Sequence, residues 1–151
     1  MQARVRRSVQ ADVDWLKDNL RPEDAAEVTA SHGSPEIALQ LGFDHSDECW
    51  TFLVKDTNEI AGMYGVGDEG VVWLLTAPPI TKVTVPFLRG SRKWVRDINK
   101  KYPLLTNAVD ADYQVAIDWL RFVGFTFIKR HETWGVGNKP FLEFVRIDNG
   151  Y

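Results

Sequence analysis

The chain between residues 71 and 125 alternates between short apolar runs and longer segments in which apolar residues recur every three or four positions. Short apolar runs are typical of buried strands, and a recurrence of three to four is typical of helices with one buried face. The first apolar run is 71–76, and a proline-containing loop, 77–84, follows it. A periodic segment occupies 85–102, a second apolar run 104–109, and a second periodic segment 112–123. The stretch therefore predicts a β-α-β-α unit whose two strands are parallel.

Shorter elements are predicted on either side of this unit. Strands are expected at 4–9, 50–54, 60–66, 125–130 and 141–147, and helices at 12–20, 23–30 and 35–41. Pro22 separates the first two helices, Ser34 caps the third, and Gly42 ends it. Short turns join the strands that lead into the central unit, and they predict an antiparallel meander. The prediction is one mixed α/β domain over residues 1–151, with a six- to seven-stranded sheet, one parallel pair and helices on both faces.

The composition excludes several classes of protein. Of the 151 residues, 44% are hydrophobic and 26% are charged, as in a globular domain with a core of its own. Cys49 is the single cysteine, which excludes an internal disulfide, and the three histidines are too dispersed for a metal site. No apolar run reaches membrane-spanning length, and no signal-peptide core follows Met1. We therefore expect a cytoplasmic protein with neither a metal nor a membrane partner.

The net charge of −3 is unevenly distributed along the chain. Residues 1–60 carry a charge of −6, whereas residues 61–151 carry +3. The positive part contains the β-α-β-α unit, and this favours an anionic ligand there. The overall negative charge argues against nucleic-acid binding, which needs many contacts to phosphate.

The second periodic segment of the unit ends in a recognisable pattern. Ala116 is followed by apolar and aromatic residues and then by Gly124 and Phe125. Together with the order of elements, this pattern resembles the GNAT superfamily of acetyl-CoA-dependent N-acetyltransferases. A closer likeness to the small GNAT-like proteins of tailed bacteriophages rests on residues 72–75, 91–94, 102–110 and 119–120. The resemblance implies a GNAT-like fold in which the parallel strands splay apart, with acetyl-CoA as the acyl donor.

The resemblance also implies which residues hold the cofactor. The backbone of Leu74, Leu75 and Thr76 would pair with the pantetheine amides at the splayed strand end. Tyr113 stands where the family often has an asparagine that contacts the same arm. Arg89 would reach the 3′-phosphate and pyrophosphate, for which a fork-shaped donor is well suited. The alternative interpretation is that Arg89 belongs to a basic helix face that is simply solvated.

The phosphate-binding loop departs from the family pattern Arg-x-x-Gly-x-Gly/Ala, and two registers are open. In the first, the pattern begins at Arg89 and places Arg92 and Trp94 where small residues are needed for close backbone approach. In the second, which we favour, the helix begins earlier and the phosphates meet the loop before it. The residues of that loop are Lys82, Val83 and Thr84.

Two aspartates at the end of the second strand are candidates for the general base. Asp110 and Asp112 would lie near the splay, where a carboxylate could take a proton from an amine. In the alternative interpretation, one of them caps the following helix. Leu120 occupies the position at which the family often has a tyrosine as general acid, and leucine cannot donate a proton. The resemblance thus implies acetyl transfer to a primary amine by direct attack on the thioester, driven by proximity and backbone polarisation.

The partners follow from the same resemblance. It implies that the acceptor is an amine of a phage or host protein and that the reaction takes place in the host cytoplasm. A homodimer is compatible with it. The rival interpretation is a catalytically inactive GNAT-like phage protein that acts as a binding or virion-assembly factor. The missing glycine-rich loop and Leu120 favour that rival.

Overall fold

The structure is a computed structural model that describes residues 1–148. Its strands are β1 (Ala3–Arg7), β2 (Ser46–Val54), β3 (Ile60–Gly67), β4 (Val71–Thr76), β5 (Leu104–Asp110), β6 (Thr126–Trp134) and β7 (Lys139–Ile147). Its α-helices are α1 (Gln10–Leu16), α2 (Pro22–His32), α3 (Pro35–His45), α4 (Thr84–Lys101) and α5 (Gln114–Phe122). A 3₁₀ turn, Pro78–Lys82, connects β4 to α4.

The strands form one sheet in the order β1-β2-β3-β4-β5-β7-β6. The antiparallel meander predicted for β2, β3 and β4 is confirmed. β4 and β5 pair in parallel at the centre of the sheet, as the β-α-β-α pattern predicts. The other neighbouring strands are antiparallel. The mixed α/β fold with one parallel pair is therefore confirmed.

Helices cover both faces of this sheet. One apolar cluster joins α4 and α5 to the sheet and includes Val95, Ile117 and Val72. A second cluster joins α1, α2 and α3 to the sheet and includes Leu39 and Leu75. Successive side chains of a strand point to opposite faces. Val72 and Leu75 of β4, three positions apart, therefore belong to different layers.

Helix α3 continues past Gly42 to His45, so the prediction that this glycine ends the helix is wrong. Gly42 packs against the Trp73 indole, and a Cβ atom there would lie 2.7 Å from Trp73 Cζ2. The glycine serves a close helix-to-strand contact and not a left-handed turn. The start of the helix is as predicted, because Ser34 Oγ accepts a hydrogen bond from Ile37 N at 3.1 Å.

Several strands extend beyond their apolar runs. β2 begins at Ser46, four residues before its predicted start at 50, and β6 continues to Trp134 instead of ending at 130. In these extensions polar residues take part in the ladder, as where Glu48 pairs with Val66. Pairing with a neighbouring strand decides where such a strand ends, and the apolar run marks only its buried part.

Helix α4 begins at Thr84, with Val83 as the residue before its first turn. The earlier of the two predicted helix starts is therefore the observed one, with Pro86 in the first turn. The Thr84 hydroxyl donates to Thr81 O at 3.4 Å and does not cap the helix. The basic residues Arg89, Arg92, Lys93, Arg96 and Lys100 lie exposed along the outer face of α4.

Candidate active site at the strand splay

β4 and β5 are joined by one backbone pairing and then diverge. Thr106 N donates to Gly70 O at 2.9 Å. In a regular parallel ladder, the next hydrogen bond on this side would run from Ala108 N to Val72 O. The Asn107 carboxamide lies between these two groups instead. Its Nδ2 donates to Val72 O at 2.7 Å, and its Oδ1 accepts from Ala108 N at 2.8 Å.

Helix α2 spans the open end of the splay. On the β4 side, the Asp24 carboxylate accepts from Thr76 N at 2.8 Å and from the Thr76 hydroxyl. The Arg21 N–H donates to Thr76 O at 2.9 Å. On the β5 side, Glu27 Oε2 accepts from Asp110 N at 3.1 Å. Because Asp24 and Glu27 are three residues apart on one helix, a single turn of α2 ties both strand ends together.

The peptide groups of Leu74 face the gap between the Asn107 carboxamide and the contacts that α2 makes with the strand ends. Ala77 N donates to Ala61 O of β3, and the hydrogen-bonding direction alternates along a strand, so the groups of residues 72, 74 and 76 point toward β5. Val72 O and both backbone groups of Thr76 have the partners described above. Within residues 1–148, β4 pairs with β5 only at Val71 and Thr106, so the ladder ends before Leu74. Its N–H and C=O are therefore available to a ligand.

A cavity of about 1240 Å³ passes through the splay. Asp24, Glu27 and Trp134 line it on the α2 side, and Thr84 and Ser91 line it on the α4 side. Its lining comes from both layers of helices, so the cavity connects the two faces of the sheet. A ligand that enters from one face can thus meet a ligand that enters from the other.

The β6–β7 hairpin closes part of the α2 side. Gly137 N donates to Ala30 O at 2.8 Å near the end of α2. Gly135 has a φ of +67°, and a Cβ atom there would lie 2.6 Å from Ser31 Cα. The glycine permits both the left-handed conformation and the close approach. The hairpin tip and α2 together frame the entrance to the cavity on this face.

Burial and neighbouring charge shift the protonation of the carboxyl groups at the open end. The pKa of Glu27 is raised to about 8, and burial is the largest cause. The hydrogen bond from Asp110 N lowers this pKa, and the charges of Asp24 and Asp110 raise it further. Burial also raises the pKa of Asp24, against the hydrogen bonds from Thr76. Glu27 therefore exchanges a proton near neutral pH, as a general base must.

Tyr113 connects the two helical layers. Its ring belongs to the apolar cluster beneath α4 and α5, and its hydroxyl accepts from Arg21 Nη2 at 3.0 Å. Burial, followed by the Asp24 charge, raises the pKa of Tyr113. The hydroxyl therefore keeps its proton at neutral pH.

Five of the eight residues predicted to bind the cofactor line the cavity, namely Leu74, Leu75, Thr76, Thr84 and Tyr113. The other three do not contribute to its lining. Lys82 Nζ pairs with Glu59 Oε1 at 2.7 Å, Val83 is buried in the apolar cluster beside the 3₁₀ turn, and Arg89 is exposed on α4. The structure thus brings together the predicted residues of β4, the start of α4 and the start of α5.

The two aspartates predicted as general-base candidates do not line the cavity. Asp110 Oδ2 pairs with Lys139 Nζ at 3.0 Å, and its Oδ1 accepts from Asp112 N at 2.9 Å. The Asp112 side chain is exposed. Asp110 thus closes the turn that leads into α5, but neither aspartate caps the helix as the alternative interpretation had it, because Tyr113 is the N-cap residue and no side chain in residues 1–148 caps this end. Asp110 contacts the site through its backbone N–H, which holds Glu27.

Sequence reasoning missed Asp24, Glu27 and Asn107. The signal for the first two was present: Asp24 and Glu27 fall on the same helical face as Val28, which packs into the core. Carboxylates on the buried face of an amphipathic helix are unusual and need partners. For Asn107, the signal is a carboxamide in a mostly apolar strand, but this signal does not show which strand the side chain contacts.

Comparisons with known proteins bear on the fold. No protein-family model matches the sequence, and no curated protein does. A GNAT-family acetyltransferase from Bacillus anthracis is similar in structure, with a TM-score of 0.69 and 6% identity over 97% of this chain and 95% of that one. A Bacillus subtilis acetyltransferase in complex with CoA gives a TM-score of 0.68 and 11% identity over 97% and 99%. The Vibrio cholerae spermidine N-acetyltransferase, in complex with CoA and spermine, gives 0.63 and 10% over 97% and 95%.

The chain has the GNAT fold. Its splay is suited to an extended amide chain such as the pantetheine arm of CoA, because the free Leu74 peptide offers one donor and one acceptor. The first turn of α4 begins at Thr84 on the cavity wall, and N–H groups at a helix start suit a phosphate. The residues present therefore fit CoA without the family's glycine-rich loop.

In residues 1–148, no helix combines the length and the hydropathy needed to span a bilayer. No group of three or more His, Cys, Asp and Glu side chains in residues 1–148 is arranged as a set of metal ligands.

Proposed function

We propose that this protein transfers the acetyl group of acetyl-CoA to a primary amine by direct attack. The observation that carries the proposal is the combination, in one cavity, of a free peptide group at Leu74 and a carboxyl group of raised pKa at Glu27. The first suits the binding and polarisation of a thioester, and the second suits the removal of a proton from an amine.

The donor side of the site is built from backbone groups. The N–H and C=O of Leu74 would hold the pantetheine amides, with Leu75 and Thr76 beside them on the cavity wall. Tyr113 lines the same path. Bound acetyl-CoA would supply the thioester, and the chain contributes alignment, which lowers the entropic part of the barrier.

The start of α4 would hold the phosphates of CoA. The N–H group of Thr84 would bind them, with the positive end of the helix dipole behind it, whereas Val83 N already donates to Ile80 O at 3.1 Å. The Lys82 ammonium is engaged by Glu59 and Lys82 does not line the cavity, so its charge is not available to the phosphates. Arg89, exposed on the next turn, supplies the charge.

Glu27 prepares the acceptor for attack. Its Oε2 accepts the hydrogen bond from Asp110 N, which leaves Oε1 to take the proton of the incoming ammonium. A carboxylate with a pKa of about 8 holds that proton better than an ordinary glutamate does, so less free energy is lost in the transfer. Asp110 positions Glu27 through its N–H, and Asp112 is part of the turn that places this N–H.

The acceptor enters between α2 and the β6–β7 hairpin. Acidic side chains on the cavity wall, Asp24 and Glu27, accommodate a cationic group better than an anionic one, because Glu27 carries a negative charge once it ionises. A primary amine of a phage or host protein is the acceptor that the resemblance to phage proteins suggests, and it would be modified in the host cytoplasm.

Calorimetry with CoA and with acetyl-CoA tests the donor site first. A dissociation constant on the order of micromolar to tens of micromolar is expected, with a rise in melting temperature by mass action. Acetylation of a panel of amines, small polyamines and lysine peptides included, is then followed by release of free thiol. If neither heat nor a thermal shift is seen at millimolar CoA, the transferase proposal fails and the binding or assembly role becomes the better one.

A further inference from the structure

The Asn107 side chain occupies the place of a missing hydrogen bond in the sheet. Its carboxamide is inserted between Val72 O and Ala108 N, at 2.7 Å and 2.8 Å. These two backbone groups would bond directly to each other if the ladder that begins at Thr106 continued by one step. The divergence of β4 and β5 starts at this insertion.

We propose that Asn107 is a positioning residue that sets the width of the splay and thereby holds the Leu74 peptide open to a ligand. The consequence for CoA rests on the proposed function, but the structural part does not. Leu74 is the next residue of β4 whose peptide groups face β5. Its separation from β5 therefore depends on how far apart the strands are kept at Asn107.

A carboxamide is suited to this role because it carries a donor and an acceptor on one planar group. Nδ2 satisfies a carbonyl of one strand, and Oδ1 satisfies an N–H of the other, so no buried backbone group is left without a partner. Aspartate could accept from Ala108 N but could not donate to Val72 O. Leucine has a similar shape and could do neither. Glutamine adds a methylene and would widen or misalign the insertion.

The two ends of the splay are fastened by independent means. At the vertex of the splay, which is the point where β4 and β5 begin to diverge, the Asn107 carboxamide keeps the strands apart. At the open end, Asp24 and Glu27 of α2 bind the two strand ends. Loss of the carboxamide would leave Val72 O and Ala108 N to pair with each other, because buried backbone groups seldom stay unpaired. The vertex would then move one ladder step toward Leu74 while the open end stayed in place.

Scalar couplings across hydrogen bonds, measured by NMR on isotope-labelled protein without ligand, test the structural part. The wild-type protein is expected to show a coupling between the Asn107 side-chain nitrogen and the Val72 carbonyl carbon. Asn107→Leu is expected to show instead a coupling between Ala108 N and the Val72 carbonyl carbon. If the wild type lacks the first coupling, or if the leucine variant lacks the second, the proposal is overturned.

CoA affinity, measured by calorimetry on the same proteins, tests the consequence. Asn107→Leu is expected to weaken the binding of CoA at least tenfold. Thr106→Val is the matched control, because the Thr106 hydroxyl donates to Phe144 O on the β7 side and the change leaves the splay intact. Equal affinities of Asn107→Leu and wild type would refute the positioning role.

A second variant keeps the test decisive if the leucine variant does not fold. Asn107→Asp keeps the acceptor for Ala108 N but loses the donor to Val72 O, and it is expected to weaken CoA as well. If Asn107→Asp binds CoA as wild type does, the positioning role is refuted. If wild type itself binds no CoA, the proposed function fails, whereas the NMR couplings still decide whether Asn107 sets the splay.

Discussion

Replacement of Glu27 by glutamine tests the proton-acceptor role through a property that needs no ligand, the pH dependence of folding. Glutamine keeps the volume and the oxygen that accepts from Asp110 N at 3.1 Å, but it cannot ionise. In the folded protein the pKa of Glu27 is raised from 4.5 to about 8, and the unfolded chain returns it to its ordinary value.

The sign and size of the effect follow from this difference in pKa. Between the two values, the folded protein holds a proton on Glu27 that the unfolded chain has released. The contribution of Glu27 is therefore fully present below the unfolded pKa and is lost as the pH rises through the folded pKa. The loss is about 1.4 kcal/mol per pH unit and reaches about 5 kcal/mol over the whole window.

Urea denaturation of wild type and Glu27→Gln at several values between about pH 5 and pH 8 measures this contribution. The free energy of unfolding of the variant, relative to wild type, is expected to rise by about 1.4 kcal/mol per pH unit. Glu23→Gln, the same substitution at an exposed position of α2, is the matched control. Parallel pH curves for wild type and Glu27→Gln would show that Glu27 ionises as an ordinary carboxyl group, and the general-base assignment would fall.

The activity of the same variant then separates base catalysis from structure. If Glu27 takes the proton of the amine, Glu27→Gln is expected to lower kcat by about 10² to 10⁴. Its affinity for acetyl-CoA should stay close to that of wild type. The rise of kcat/KM with pH, centred near the Glu27 pKa of about 8, should disappear in the variant. If the variant keeps its kcat, Glu27 is not the general base and another group takes the proton.

The remaining predictions concern phosphate binding, packing and the polar network. Arg89→Ala is expected to weaken the binding of CoA about tenfold in calorimetry, which is the effect of one hydrogen bond to a charged group, and to weaken the binding of dephospho-CoA less. Lys100→Ala, about 16 Å further along α4, should change neither affinity. Gly42→Ala should lower stability in urea denaturation, because crowding of Trp73 costs about 1–3 kcal/mol against about 1 kcal/mol gained in helix propensity. Tyr113→Phe should lower the free energy of unfolding by about 1–3 kcal/mol, since the Arg21 guanidinium loses its acceptor; an unchanged value would mean that water replaces the hydroxyl.

The sequence by itself determined the order of elements and the class of fold. Apolar runs and helical periods in residues 71–125 predicted β4, α4, β5 and α5 to within two residues, because a buried face imposes its period on the sequence directly. Pro22 and Ser34 located the starts of two helices for local steric and hydrogen-bonding reasons. The pattern that ends at Gly124 pointed to the correct fold.

Only the tertiary structure decided the functional geometry. The sequence pattern did not single out Asp24 or Glu27, because their contacts with Thr76 and Asp110 join residues far apart in sequence. Gly42 looked like a helix stop until Trp73 was placed against it. Asn107 became meaningful only when the strand opposite was known. Local patterns record whether a side chain is buried, but the partner that satisfies a buried polar group is chosen by the packing of distant segments, and no periodicity in the sequence encodes that choice.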